Sequence, residues 1–182
     1  MEITTTLLVE HRSAWRAWLA ENHATARDIW LITYTIPSDK PSVPYLDAVE
    51  EALCFGWIDS TTKRLDGERR AQRFSPRRRN SNWTELNKER ARRLIAAGLM
   101  TDAGYAKLPD LTLQPLVIAP DIQAALQADP QTWENFVRFS DLYQRIRIQF
   151  IEDQRTNPIL FQQRLDRFVQ KTRQNKMFGS LA

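Results

Sequence analysis

Apolar residues first recur with helical spacing in HRSAWRAWLAENH, where Trp15, Trp18 and Leu19 fall at i, i+3 and i+4. The next stretch, ARDIWLITYTI, is crowded with Ile, Trp, Tyr and Thr. It predicts a strand, closed by the loop PSDKPSVP. In YLDAVEEALCF apolar residues return at 46, 49 and 53, with Ala48 and Ala52 beside them. That spacing predicts an amphipathic helix with Glu50 and Glu51 outward and Gly56 as its stop. Asp66-Gly67 then divides two extended runs, WIDSTTKRL and ERRAQRF. The pair predicts a hairpin closed by a type I′ turn, whose two central residues need positive φ. A two-residue loop sets Leu65 opposite Glu68, Arg64 opposite Arg69 and Lys63 opposite Arg70; a four-residue loop still opposes Arg64 and Arg69.

Downstream the pattern turns helical. Residues 83–97 carry an apolar side of Leu86, Leu94 and Ile95, with Ser81 or Thr84 as cap and Gly98 just past the end. Thr101 or Asp102 opens a short helix to Leu108, and the three prolines of PDLTLQPLVIAP mark a connector. Helix is then predicted over 120–128. Asp129-Pro130, a cap followed by proline, starts the next, with Trp133, Phe136 and Val137 on its face. Leu142, Ile146 and Phe150 form the stripe of a third. A last one follows Asn157-Pro158, with Phe161, Leu165, Phe168 and Val169 inward. The expected fold class is α+β: a small antiparallel sheet of about three strands with flanking helices, followed by a helical C-terminal half. The expected domains are 1–110, a connector 111–119, and a helical region 120–182 packed on the first.

Composition adds exclusions. Six Trp, eight Phe and a hydrophobic content of 42% give 182 residues ample core material. The lone Cys54 excludes an internal disulfide, and His11 and His23 are remote from it, so neither a metal site nor a Cys-His pair is expected. Five scattered glycines make no phosphate loop, and no cofactor is expected. MEITTTLLVEHR places an acid where a signal peptide needs a base, and no apolar run nears the ~20 residues of a membrane helix. A cytoplasmic location without a membrane span is expected.

Charge changes the picture more. The net charge is only +4, but residues 1–62 carry four Lys/Arg against nine Asp/Glu, and residues 63–107 carry thirteen against five. Such a block points to an anionic partner or to an internal acid–base contact. FSPRRRNSNW puts Arg77, Arg78 and Arg79 ahead of a predicted helix N-terminus, where N–H groups and the helix dipole favour an anion. With Lys63, Arg64, Arg69, Arg70 and Arg73 of the hairpin, and with Ser81 and Trp83, they define a candidate surface for an anion, with a nucleic-acid backbone as the first partner to test. A solvated face, paired internally through Glu85 and Glu89, is the competing reading. The second helix of the pair TELNKERARRLIAAG-LMT-DAGYAKL has one cation, Lys107, and makes a poor recognition helix.

Asp59, behind Trp57-Ile58, is the weak catalytic candidate, a carboxylate able to serve as general base if its charge is unpaired. The competing expectation is a pair with Arg73, which stands about opposite in a tight hairpin. Ser60, Thr61 and Thr62 have no partner His, Cys54 falls on an apolar helix face, and nucleophilic catalysis is not expected.

The stretches WLAENHATARDIWLITY, YLDAVEEALCFGWIDS, RFSPRRRNSNWTELNKERARRLIAAGLMTDAG and ALQADPQTWENF together resemble the YdeI/OmpD-associated, or bacteriocin-protection, family over about residues 7–140. Ala48–Asp59 and Ser75–Asn87 are the most specific parts. The resemblance implies a link to tolerance of bacteriocins or antimicrobial peptides and to an outer-membrane porin; it implies no reaction or ligand. The chain departs from the family where Tyr34-Thr35-Ile36 replaces lysines and where EDQRTNPILFQQR replaces a basic stretch. The expected function is therefore a bacteriocin-protection-type, non-catalytic protein with a basic anion-binding surface. Two alternatives stay open: an enzyme or binder of a small anionic ligand using Asp59, Lys63 and Arg77 in a cleft, and a protein-interaction module acting through the C-terminal helices.

Overall fold

The structure, a computed structural model, describes residues 2–35 and 39–179. Ile36, one of the residues replacing the family's lysines, lies outside them. Elements follow in the order β1 (Thr6–Leu8), α1 (Arg12–Asn22), β2 (Ile29–Tyr34), α2 (Tyr45–Cys54), β3 (Trp57–Arg64), β4 (Arg69–Pro76), α3 (Glu85–Ala96), α4 (Asp102–Tyr105), α5 (Pro120–Gln127), α6 (Pro130–Arg138), α7 (Asp141–Glu152) and α8 (Pro158–Arg173). The fold is mixed, with a sheet and flanking helices followed by a helical C-terminal half. The sheet has four strands in the order β1-β2-β4-β3. Three are antiparallel, as expected; β1 adds a parallel edge, Leu7 facing Leu31.

The chain forms two compact units, one of residues 1–82 and 89–111, the other of 83–88 and 112–182. In the first, one sheet face carries Leu31 and Phe74 and receives α1 and α2. Trp15 stacks on Trp18 and tilts against Phe74, while Trp18 meets Trp57 edge-on. The Trp15 indole N–H donates to the Ala48 carbonyl at 3.0 Å, so this fully buried ring also satisfies its polar atom. Thr101 binds the Cys54 carbonyl through both its N–H and its hydroxyl, which fastens α4 to the end of α2. Cys54 is fully buried, and burial pushes its thiol up to about 11.

Glu51 corrects the expected outward face of α2. It is 3% exposed and accepts from Arg12 and Arg16 of α1, while Asp47 and Glu50 accept from Arg12. These three acids of α2 are thus held mainly by arginines of the same N-terminal segment; Glu50 also stands 3.9 Å from Arg93.

In the second unit Ile122, Leu126, Phe136, Tyr143, Ile148, Ile151, Leu165 and Phe168 form one core. Both cap-then-proline signals work as read: Asp129 Oδ2 accepts from the Thr132 N–H, and Asn157 Oδ1 from the Leu160 N–H. Val137 and Phe150, expected inward, are exposed, and the buried side of α7 is instead Tyr143, Ile146, Arg147, Ile148 and Ile151.

Candidate anion-binding site

The hairpin tip is not a type I′ turn. Neither Asp66 nor Gly67 takes a positive φ. Instead the Leu65 N–H donates to the Arg69 carbonyl, and Asp66 folds its carboxylate back onto the N–H groups of Glu68 and Arg69. This side-chain turn spans one residue more than a two-residue loop and shifts the register. Arg64 consequently faces Arg70, Lys63 faces Ala71 and Thr62 faces Gln72. An irregularity between Asp59 and Thr62 keeps both on the face that carries Phe74, Gln72 and Arg70.

The cations of the block then separate. Arg69 pairs with Asp66, and Arg73 makes a two-nitrogen contact with Asp28 at 2.6 and 3.0 Å. Asp59 faces Phe74, so the expected Asp59–Arg73 pair does not form. Lys63 stands 5.8 Å from the centre of the Trp30 ring. Lys88 pairs with Glu85 and Arg92 with Glu89. Arg64, Arg70, Arg78 and Arg79 are exposed and form no ion pair with any described residue. Arg70 lies six residues before Pro76, roughly 20 Å along the strand. The hairpin tip and the arginine run therefore occupy opposite ends of β4, not one patch.

The three consecutive arginines also diverge. Arg77 is 2% exposed, and its Nη1 donates to the Asn82 carbonyl. Burial pushes its guanidinium down to about 10, and the Asp59 charge opposes that shift. Arg78 and Arg79 face water. Ser81 does not cap α3: its N–H donates to the Arg78 carbonyl, and Thr84 caps by accepting from the Asn87 N–H. The Glu85 N–H is taken by Gln149. The Glu85 and Asn87 N–H groups at the start of α3 are thus taken, Glu85 adds an acid there, and Trp83 is buried.

Asp59 accepts from the Tyr45 hydroxyl at 2.7 Å. Its charge supports two buried guanidiniums, Arg77 and Arg90, both held below their ordinary range by burial. The carboxylate thus has a hydroxyl donor and two guanidinium counter-charges. Beside it a cleft of about 300 Å³ lies between the sheet and the first turns of α2, lined by Leu31, Ala48 and Phe74 within and by Tyr45, Asp59, Thr62 and Arg70 among its polar residues. Gln72 is engaged there, accepting from Thr62 and donating to the Ser60 carbonyl. Of the residues expected to share a cleft, Asp59 lines this one and Lys63 and Arg77 do not. Tyr45 and Arg90 escaped notice because their link to Asp59 joins separate elements. Only the Asp66-Gly67 hairpin hinted that Arg70 would share their face.

No helix among the described residues is long and apolar enough to cross a membrane. Residues 7–107 match the model of a domain of unknown function, DUF8412. Residues 115–175 match that of the family described as bacteriocin-protection, YdeI or OmpD-associated. Most of the stretches that carry the resemblance in sequence fall within the first match; ALQADPQTWENF falls in the second. No curated protein and no solved structure matches the chain.

Proposed function

The chain belongs to the bacteriocin-protection, YdeI/OmpD-associated family, with a DUF8412 domain ahead of the family's own segment, and from that premise we propose that it acts without catalysis by binding a small organic anion at the hairpin. The observation that carries this reading is the direct opposition of Arg64 and Arg70 on one face, both exposed and neither ion-paired with any described residue. Like charges directly opposite cost up to about 1 kcal/mol, and an anion between them reverses the sign. The adjoining cleft supplies apolar contact through Leu31 and Phe74 and hydrogen-bonding groups around Thr62, a combination suited to a small ligand. Asp59 positions Arg77 and Arg90 and takes no part in chemistry.

The exposure of Arg78 and Arg79 favours a second reading, in which a nucleic-acid backbone spans both ends of β4. The ~20 Å between them corresponds to about six base pairs of rise. Four phosphate contacts predict that log K falls with log salt at a slope of about −3.6.

Thermal unfolding with phosphate or citrate, set beside duplex-DNA binding, separates the two. For the small-ligand reading Arg70→Thr unfolds at a higher temperature than the wild type, because a repulsion is gone, yet loses the stabilisation by citrate. Arg78→Ala/Arg79→Ala keeps that stabilisation. If the wild type gains nothing from either anion, the small-ligand reading fails. Steeply salt-dependent DNA binding that the double variant abolishes establishes the second reading.

A further inference from the structure

The second unit holds a cavity of about 440 Å³, larger than the hairpin cleft and wholly separate from it. Leu86, Ile146, Phe150 and Phe178 give it apolar walls. Into that lining α7 places Arg147, which is 7% exposed and whose Nε has no hydrogen-bond partner. The sequence pattern had assigned this helix an apolar stripe, and a buried arginine in it has no role in the hairpin reading.

The guanidinium is caged. The rings of Tyr143, Phe150 and Phe178 stand 5.2–5.5 Å from it. The backbone of Gly179, at φ +79°, lies so close that a Cβ there would come within 2.6 Å of Nη1. Ring faces stabilise the cation, but they accept no N–H directionally. A charged group fixed in place, dry on most sides and lacking an acceptor is prepared for an anion brought from outside.

The remaining charges define which anion. Arg167 also lines the cavity, its guanidinium 5.0 Å from the Phe178 ring, and Asp153 lines it too. Two cations against one carboxylate leave a single positive charge, which suits a monoanion better than a phosphate dianion. Gln149 is already engaged by the Glu85 N–H and the Trp83 carbonyl, so the rest of the ligand meets mainly hydrocarbon. We propose that this cavity binds a small monocarboxylic acid with an apolar body, its carboxylate held by Arg147. The volume falls in the range of small-molecule sites.

The test uses the full chain with 3-phenylpropionate, its alcohol analogue 3-phenylpropanol, and inorganic phosphate, followed by calorimetry and by amide NMR shifts. The expected result is saturable 1:1 binding of the acid, with shifts centred on Ile146–Phe150 and Phe178, and binding of the alcohol at least tenfold weaker. Arg147→Met weakens the acid at least tenfold and Arg147→Lys, which keeps the charge but not the planar fork, at least threefold. Folding of each is checked by thermal unfolding. The wild-type acid-to-alcohol ratio decides the matter even if both variants unfold. Equal affinity for the alcohol, shifts elsewhere, no saturable binding, or phosphate binding as tightly as the acid each overturns the proposal.

Discussion

Arg73 and Asp28 stand 45 positions apart, and their pairing joins β4 to the residue just before β2. Both side chains are about four-fifths buried. The Arg73 hydrogen bonds, aided by one from Thr4, hold the Asp28 carboxyl below its ordinary range. A carboxyl lowered on folding stabilises the fold fully above its unfolded value, near pH 4, and loses that contribution as pH falls through the lowered value. Asp28→Asn is therefore expected to cost about 1–3 kcal/mol at pH 7. The gap between wild type and variant narrows as acid denaturation curves are taken below pH 4; a gap constant from pH 7 to pH 2 counts against the pair. Composition could show an acid-rich segment ahead of a basic block, but not which acid meets which base. The tight hairpin suggests Asp59 as the partner of Arg73, but in the observed register Asp59 faces Phe74 and Arg73 takes Asp28 instead. Glu51 and Arg77 were illegible for a related reason: a charged residue is read as outward unless its partner on another element is known.

At the scale of elements, signals that are local in the chain were the legible ones. Capped, proline-started helices need only four or five neighbouring residues to be satisfied, and α6 and α8 begin where their sequences say. β1 has three residues and exists because β2 offers it an edge, so no period could reveal it. Two glycines of the first unit make the contrast testable. Gly67 has open space around its Cβ position and no positive φ, so Gly67→Ala is expected to be neutral or to stabilise by up to about 1 kcal/mol. Under a type I′ turn the same change strains the tip and destabilises. Gly104 is the reverse case. A Cβ there would lie 2.3 Å from the Cys54 carbonyl oxygen and 2.4 Å from Met100 Sδ. Gly104→Ala must push α4 off the end of α2, at a cost of about 1–3 kcal/mol. Urea denaturation of the two variants side by side checks both; equal midpoints contradict the account of α4.

For the whole molecule, the boundary between the units matters more than the charge asymmetry. The core of the second unit draws every one of its buried members from Ile122 to Phe168, and the partly buried residues packed on it lie between Leu116 and Phe178. Residues 112–182 thus bring a complete apolar interior, four helices and two proline-started caps with them. Chains of this size fold alone when most of their helices share one core, although with small reserve. A polypeptide of residues 112–182 is therefore expected to be helical by circular dichroism and to unfold cooperatively. Trp133, its one tryptophan, lies against that core and is stacked on Phe136 at 5.4 Å. Its fluorescence should change in the same transition as the helical signal. Phe168→Ala, which empties the site where the rings of Phe136, Tyr143 and Phe178 meet, should abolish cooperativity, because a loss of about 3–5 kcal/mol is comparable to the whole stability of so small a core. Separate transitions for tryptophan and helix in the wild-type fragment would show instead that its interior is incomplete without residues 83–88, which group with it although they precede it by more than twenty positions.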